Sequence, residues 1–363
     1  MCPPAPSGIL LAMVSAHPIA GRARRGRLIA LAATLAAVTA CAADDASAPA
    51  GPRLDELQAK GTHNSYHTFE GDRALIPELD YRFDPLATQL GEQGVRQLEL
   101  DVHLQRSSGV FEVYHVPLVD EGTTCRRFTD CLGQILAWSD SQGGGHVPVF
   151  VFIEPKDDAA QVAAELDNPD GVDELLLAGH VAEIDDAILA VIPRDRLITP
   201  DDVRGDHATL AEAVATGAAW PRLDAARGRF AFVLLDQASA REEYRRGDAH
   251  DLSGRVMFVA GEPGDPDAAV AILDDPVRDA DAIAAAVAAH LIVRTRADAE
   301  EGPEPARAAA AMALGAHFIS TDYARPDPDR GDGYVFDLGG AAPVRCNPIS
   351  ATAACDAAAL EAP

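Results

Sequence analysis

Short apolar runs alternate along this chain with alanine-rich stretches of helical periodicity. The strand-like runs are Leu57–Thr62, Arg96–Val102, Phe111–His115, Pro148–Glu154, Arg196–Thr199, Arg229–Asp236, Val256–Val259, His290–Arg294 and His317–Thr321. The helix-like stretches are Pro85–Gln93, Asp157–Leu166, Ile184–Val191, Thr209–Val214, Asp279–His290 and Pro305–Leu314. Strands that alternate with helices predict an α/β fold with a parallel sheet and crossover helices.

A (β/α)8 barrel of the TIM type, regular or irregular, accommodates this pattern best. Nine strand candidates are close to the eight that such a barrel needs, and Val256–Val259 is the one we expect to be an insertion. A doubly wound open sheet is the alternative, but the first strand is not followed by a Gly-x-Gly-x-x-Gly turn. No Pro/Gly/Ser-rich linker divides the chain, so we expect one barrel domain over residues 53–340 and a tail over 341–363.

The first forty residues have the composition of an export signal. They contain no acidic residue and four arginines, and a thirteen-residue apolar run, Leu28–Ala40, is too short to span a bilayer as a helix. The run ends in Val-Thr-Ala followed by Cys41, which is typical of a lipoprotein signal whose cysteine becomes lipidated. An ordinary secretory signal cleaved within Ala40–Ala43 is the alternative. We therefore expect a signal peptide over 1–40, a tether over 41–52, and an exported protein that is secreted or anchored to a membrane.

Besides Cys41, four cysteines remain in the mature chain, and they form two close pairs. An exported protein folds in an oxidising compartment, so the spacing favours disulfides over a zinc site, whose ligand pairs usually have a two-residue gap. The predicted pairs are Cys125–Cys131 and Cys346–Cys355.

The charge balance excludes one class of partner. The chain has 57 acidic and 30 basic side chains, and loss of the four signal arginines would take its formal charge from −27 to −31. Nucleic-acid binding requires clustered Lys and Arg, so no nucleic-acid partner is expected.

Several predicted strands end in chemically active residues, which a barrel would bring to one rim. Glu99 and Asp101 share one face of the second strand, and Glu154 ends the strand Pro148–Glu154. With an amide oxygen such as that of Asn64, these carboxylates predict an all-oxygen site for calcium or magnesium. The alternative is a solvated acidic rim in an acid-rich protein.

Two histidines at strand ends, one on either side of the acidic second strand, predict proton transfer beside that metal. His63 follows the first strand and His115 ends the third, and imidazole changes protonation near neutral pH. Lys156, one of only two lysines, follows Glu154 by two residues and is a candidate phosphate contact. Its alternative role is an ion pair with Asp157 or the next residue. We expect His67, His103 and His146 to be structural.

The motif set resembles phosphoinositide-specific phospholipase C, in its bacterial calcium-dependent branch. The matching segments are His63-Asn64-Ser65-Tyr66, Glu99–Asp101, His115 after a short strand, Glu154 after Pro148–Ile153, Leu291–Asp298 and Phe318–Tyr323. The similarity extends over nearly all of residues 54–340.

The resemblance implies a role for each matching residue. His63 would be the general base or would stabilise the transition state, and His115 would be the general acid. The calcium ligands would be Asn64, Glu99, Asp101 and Glu154. Substrate contacts would come from Lys156, Arg294, Arg296 and Tyr323, although Tyr323 could equally only pack the barrel mouth. The expected reaction converts a phosphatidylinositol-type phospholipid into diacylglycerol and an inositol cyclic phosphate, at a membrane surface to which a lipidated Cys41 would hold the enzyme.

Two other functions compete with this one. A glycerophosphodiester phosphodiesterase resembles this chain in its barrel, metal and histidine pair, but that family typically opens with His-Arg where this chain has His63-Asn64. A non-catalytic envelope lipoprotein that binds a sugar phosphate is the second, and the presence of both histidines argues against it.

Overall fold

The structure is a computed structural model that describes residues 51–69, 79–157, 162–164, 167, 172–235, 239–299, 302–327, 333–340, 342–352 and 355–361. The predicted signal peptide, Cys41 and the tether up to residue 50 lie outside the described residues. Within the described part of the chain, no helix combines the length and the apolar character needed to cross a bilayer.

Twelve strands and nine α-helices have defined bounds in the described part of the chain. The strands are β1 (Leu57–Thr62), β2 (Val95–Gln105), β3 (Phe111–Val113), β4 (Val149–Pro155), β5 (Glu174–Leu175), β6 (Leu197–Ile198), β7 (Phe230–Leu234), β8 (Met257–Val259), β9 (Val270–Ile272), β10 (Ile292–Arg296), β11 (Phe318–Thr321) and β12 (Val344–Cys346). The helices are Leu86–Gly91, Phe128–Ser141, Glu183–Leu189, Pro200–Arg204, Leu210–Val214, Leu223–Ala226, Ser239–Tyr244, Ala280–Ala288 and Pro305–Ala313.

Eight parallel strands form the barrel wall. Their order is β7, β4, β2, β1, β11, β10, β9, and β8 pairs with the last three residues of β7. A parallel bridge between Ala260 and Val270 joins the end of β8 to β9 and so connects the two ends of this path. The wall strands are buried, as their continuous apolar runs require in a parallel sheet covered by helices. The predicted (β/α)8 fold is confirmed.

The membership of the ring differs from the prediction in four strands: β8 and β9 belong to the ring, whereas β6 and β3 do not. Val256–Val259, expected to be an insertion, contains the barrel strand β8, whereas Arg196–Thr199 contributes only β6, two residues that pair with the beginning of β7 outside the ring. β9 was not predicted at all. Strands of two or three residues are too short for their periodicity to distinguish wall from insertion, so pairing over long sequence distances decides between them.

The third predicted strand also lies outside the wall. β2 has eleven residues and projects beyond the rim, where its last residues pair antiparallel with β3, with Val102 opposite Val113 and Leu104 opposite Phe111. Because β3 runs antiparallel to β2, it carries the chain back towards the rim. His115 therefore reaches the rim by a returning hairpin rather than at the end of a barrel strand.

Both predicted disulfides, Cys125–Cys131 and Cys346–Cys355, are confirmed. The second one lies in the predicted tail, which is joined to the barrel. β12 pairs antiparallel with the first half of β1, with Cys346 opposite Leu57. Glu361 forms an ion pair with Arg96 of β2. The C-terminal residues thus pack against the end of the barrel where β1 and β2 begin, away from the rim that carries the histidines.

Candidate active site

Three carboxylates meet where β2 and β4 lie side by side. Asp101 is directly opposite Glu154 in the parallel register, and Glu99 is two residues earlier on the same face of β2. One oxygen from each residue lies within 4.8 Å of the others. Asp101 has no solvent exposure, and burial together with repulsion by Glu154 raises its pKa despite the opposing effect of Lys156. Such a cluster favours a bound cation, because a cation offsets the mutual repulsion of the carboxylates.

Two side-chain cations contact this cluster. The Lys156 Nζ lies 2.8 Å from Glu154 Oε1 and 3.0 Å from Asp101 Oδ2. Arg294, only 1% exposed, donates to Glu99 with one guanidinium nitrogen and to Asp274 with another. Lys156 thus pairs with the predicted metal ligands rather than with Asp157, and Arg294 meets the site through Glu99.

The Asn64 side chain completes a set of oxygen donors. Its Nδ2 donates a 2.9 Å hydrogen bond to the Tyr81 hydroxyl, while its buried Oδ1 has no hydrogen-bond partner among the described residues. Asn64 has φ +47°, a left-handed conformation that asparagine tolerates better than most residues. A buried amide oxygen that lines the same cavity as Glu154 fits a calcium ion, since calcium takes carboxylate and carbonyl oxygens.

His63 is held between two carboxylates. Its Nδ1 lies 3.0 Å from Asp322 Oδ1, and its Nε2 lies 3.8 Å from Glu99 Oε1. Burial and Arg296 lower the pKa of His63, whereas Asp322 and Glu99 raise it, and the net result is a raised pKa. Arg296 donates a 3.3 Å hydrogen bond to the same Asp322, so this arginine meets the site through Asp322.

His115 has a carboxylate partner of its own. Its Nδ1 lies 2.8 Å from Asp120 Oδ2, at the end of a tight loop in which the backbone N–H of Asp120 donates to Val116 O. The Asp120 side chain also contacts His67, which is fully buried.

One cavity of about 330 Å³ joins these groups. Its lining residues are His63, Asn64, Leu79, Tyr81, His115, Glu154, Lys156 and Asp322. Tyr323, the predicted sugar-stacking residue, is buried and packs edge-on against Tyr334, with ring centroids 5.6 Å apart. The cavity thus brings together both histidines, the amide and one carboxylate of the predicted metal set, and Lys156.

A model of the family "Phosphoinositide phospholipase C, Ca2+-dependent" matches residues 109–348, about two thirds of the chain. The chain belongs to this family. The protein is accordingly a phosphoric diester hydrolase that acts on phosphoinositides, and its cofactor is a calcium ion.

Solved structures show the same fold at low sequence identity. The calcium-dependent phosphoinositol-specific phospholipase C of a Pseudomonas species is similar with a TM-score of 0.55 and 18% identity, over 82% of this chain and 97% of that one. The calcium-dependent phosphatidylinositol-specific phospholipase C of Streptomyces antibioticus gives 0.54 and 22%, over 75% and 95% of the two chains. No curated protein sequence matches the chain.

Sequence reasoning missed the residues that support the two histidines in this phospholipase-family site. Asp322 directly follows β11 and lies in the matching segment Phe318–Tyr323. A search for polar residues at strand ends could therefore have identified it. Asp120 follows His115 by five residues, and only the tight loop between them brings its carboxylate back to the His115 ring. His67 was expected to be structural, yet it contacts the carboxylate that binds His115.

Proposed function

We propose that this phospholipase-family enzyme is exported and cleaves phosphatidylinositol-type lipids to diacylglycerol and an inositol cyclic phosphate by histidine acid/base catalysis. One observation carries the proposal: two histidines, each bound to its own carboxylate, line the same cavity as Asn64 and Glu154. Asn64, Glu99, Asp101 and Glu154 would hold the calcium ion. Calcium bound there supplies positive charge that acidifies a coordinated hydroxyl and offsets negative charge on a phosphate.

His63 suits the general base. Asp322 fixes its Nδ1 and contributes to its raised pKa, which leaves Nε2 available to accept the proton of the inositol 2-hydroxyl. The oxygen released in this way attacks phosphorus and forms the new P–O bond of the cyclic phosphate.

His115 suits the general acid. Asp120 binds its Nδ1, so its Nε2 can donate a proton to the diacylglycerol oxygen as the old P–O bond breaks. During a turnover His63 thus accepts one proton and His115 gives one up. Water can later open the cyclic product with the two roles reversed, so that His115 is the base and His63 the acid.

Lys156 is the strongest of the four proposed substrate contacts because it lines the described cavity. A phosphate oxygen could replace one of its two carboxylate partners. Arg294 and Arg296 are both bound to carboxylates, so we expect them to act through Glu99 and Asp322. Tyr323 would shape the mouth of the barrel.

Export and membrane anchoring rest on the leader pattern before Cys41 and on the two disulfides, which form in oxidising compartments. Labelling of cells with a radioactive fatty acid tests the anchor. The full-length protein should take up label and Cys41→Ser should not, whereas equal labelling of both proteins would exclude lipidation at Cys41.

Phosphorus NMR with phosphatidylinositol as substrate tests the reaction itself. We expect a cyclic phosphate signal that disappears with a calcium chelator and returns when calcium is added back. His115→Ala and Glu99→Gln should abolish turnover and keep the circular-dichroism spectrum, while the surface variant His207→Ala should remain active. Near-normal turnover in either site variant would refute the assignment, and cleavage of glycerophosphocholine instead would indicate the glycerophosphodiesterase alternative.

A further inference from the structure

His67 lies between two hydrogen-bond acceptors. Its side chain has no solvent exposure. Its Nδ1 lies 2.9 Å from the backbone oxygen of Tyr81, and its Nε2 lies 2.8 and 2.9 Å from the two carboxylate oxygens of Asp120. A backbone carbonyl and an ionised carboxylate can only accept, so both imidazole nitrogens must donate. This geometry fits an imidazolium that carries a proton on each nitrogen.

In the pair that His67 forms with Asp120, the negative charge lies on the Asp120 carboxylate. Burial alone would raise the pKa of Asp120, but hydrogen bonds from His115 and His67 lower it to about 2. The Tyr81 ring also stacks on His67, with centroids 4.0 Å apart and planes 23° apart, and an aromatic face favours a cation. Burial of the charged imidazole is thus offset by an ion pair, two hydrogen bonds and an aromatic ring.

The pair has two consequences for His115. His67 contacts both oxygens of Asp120 and so orients that carboxylate, which in turn accepts from His115 Nδ1 at 2.8 Å. The charge on His67 also partly neutralises Asp120. A bare buried carboxylate would hold a proton on His115 more tightly, and a general acid works best when it can release its proton near the working pH.

We propose that His67 is a positioning residue: a buried imidazolium that orients and partly neutralises Asp120, and thereby keeps the proton-donating nitrogen of His115 directed at the leaving group. The inference rests on the proposed role of His115 as general acid. His67 itself does not line the described cavity and would touch neither substrate nor metal.

Nitrogen-15 NMR of the imidazole side chains, recorded on the whole calcium-loaded protein at neutral pH, tests the charge. Both ring nitrogens of His67 should have the chemical shifts of a protonated imidazole, with His67→Gln serving to assign the signal. A neutral pattern, with one protonated and one unprotonated nitrogen, would overturn the inference.

Leaving-group dependence tests the function. Phosphatidylinositol releases a basic alkoxide and needs a general acid, whereas the nitrophenyl ester of inositol phosphate releases a stable phenolate and hardly needs one. General acid catalysis contributes a factor of about 100 to 10,000, so a misdirected acid in His67→Gln should lower kcat for phosphatidylinositol about tenfold or more. With the nitrophenyl ester the loss should be less than about threefold, because little acid assistance is needed there.

Two variants make every outcome decisive. His115→Ala should show the same selectivity more strongly, and His146→Gln, which removes a buried imidazole bound to Ser139 at another part of the barrel, should show none. Equal losses on both substrates in His67→Gln, or no loss, would overturn the role of His67 while leaving that of His115 intact. Equal losses in His115→Ala would instead refute the general-acid assignment of the proposed function, and the role of His67 with it.

Discussion

His317 makes the stability of the barrel sensitive to acid. It is buried immediately before β11, where its Nδ1 accepts from the backbone N–H of Val293 at 3.0 Å and its Nε2 donates to the backbone oxygen of Asp55 at 2.9 Å. One nitrogen accepts and the other donates, so the ring is neutral. Burial lowers the pKa of His317 to about 4, with the Asp55 hydrogen bond opposing and His290 reinforcing that shift.

The size of the effect follows from the two pKa values. An unfolded histidine titrates near pH 6.5, so between pH 6.5 and 4 the unfolded state binds a proton that the folded state excludes. The neutral ring therefore stabilises the fold fully above pH 6.5, and this contribution is lost as the pH falls. At 1.36 kcal/mol per pKa unit, the loss is about 2 kcal/mol at pH 5 and about 3 kcal/mol at pH 4.

His317→Gln removes the titration and keeps both hydrogen bonds, because a glutamine amide offers one acceptor and one donor. Urea unfolding at pH 7.5 and pH 5.0 measures the outcome. Between these two conditions the free energy of unfolding should fall by about 2 kcal/mol more in the wild type than in the variant. The surface variant His207→Gln should behave like the wild type. An equal fall in wild type and His317→Gln would show that His317 is not held neutral and would refute the reasoning.

Three further predictions concern calcium, with the dissociation constant measured by isothermal titration calorimetry. Glu99→Gln should weaken calcium binding at least about tenfold, because a charged ligand is lost. The control is Asp274→Asn, which removes the other carboxylate partner of Arg294 and should change the dissociation constant by less than about threefold. Equal effects of the two variants would place Glu99 outside the metal site. Tyr81→Phe deletes the acceptor that orients Asn64, so binding should weaken by about tenfold, and an unchanged constant would show that the amide needs no such partner. Lys156→Met should strengthen binding severalfold, because its ammonium group competes for two of the carboxylates, and weaker binding would contradict that competition.

Local sequence was enough to predict much of the candidate site. An apolar run followed by polar residues marks the end of a buried parallel strand, and this pattern singled out His63, Glu99, Asp101 and Glu154 as candidates. Alternation along the chain alone decides which of these side chains share a face. The cysteine spacing likewise predicted both disulfides correctly, since short loops close at the least entropic cost.

Tertiary structure alone decided which residues meet. His63 and its partner Asp322 are 259 positions apart, and only the parallel pairing of β1 with β11 brings them within 3.0 Å. The same holds for Arg294 and Glu99, which are 195 positions apart. The ring membership of β8 and the return of β3 depend equally on pairing with distant strands. Hydrophobic periodicity encodes the face of an element, whereas the register between elements depends on packing summed over the whole barrel, and no short segment carries that information.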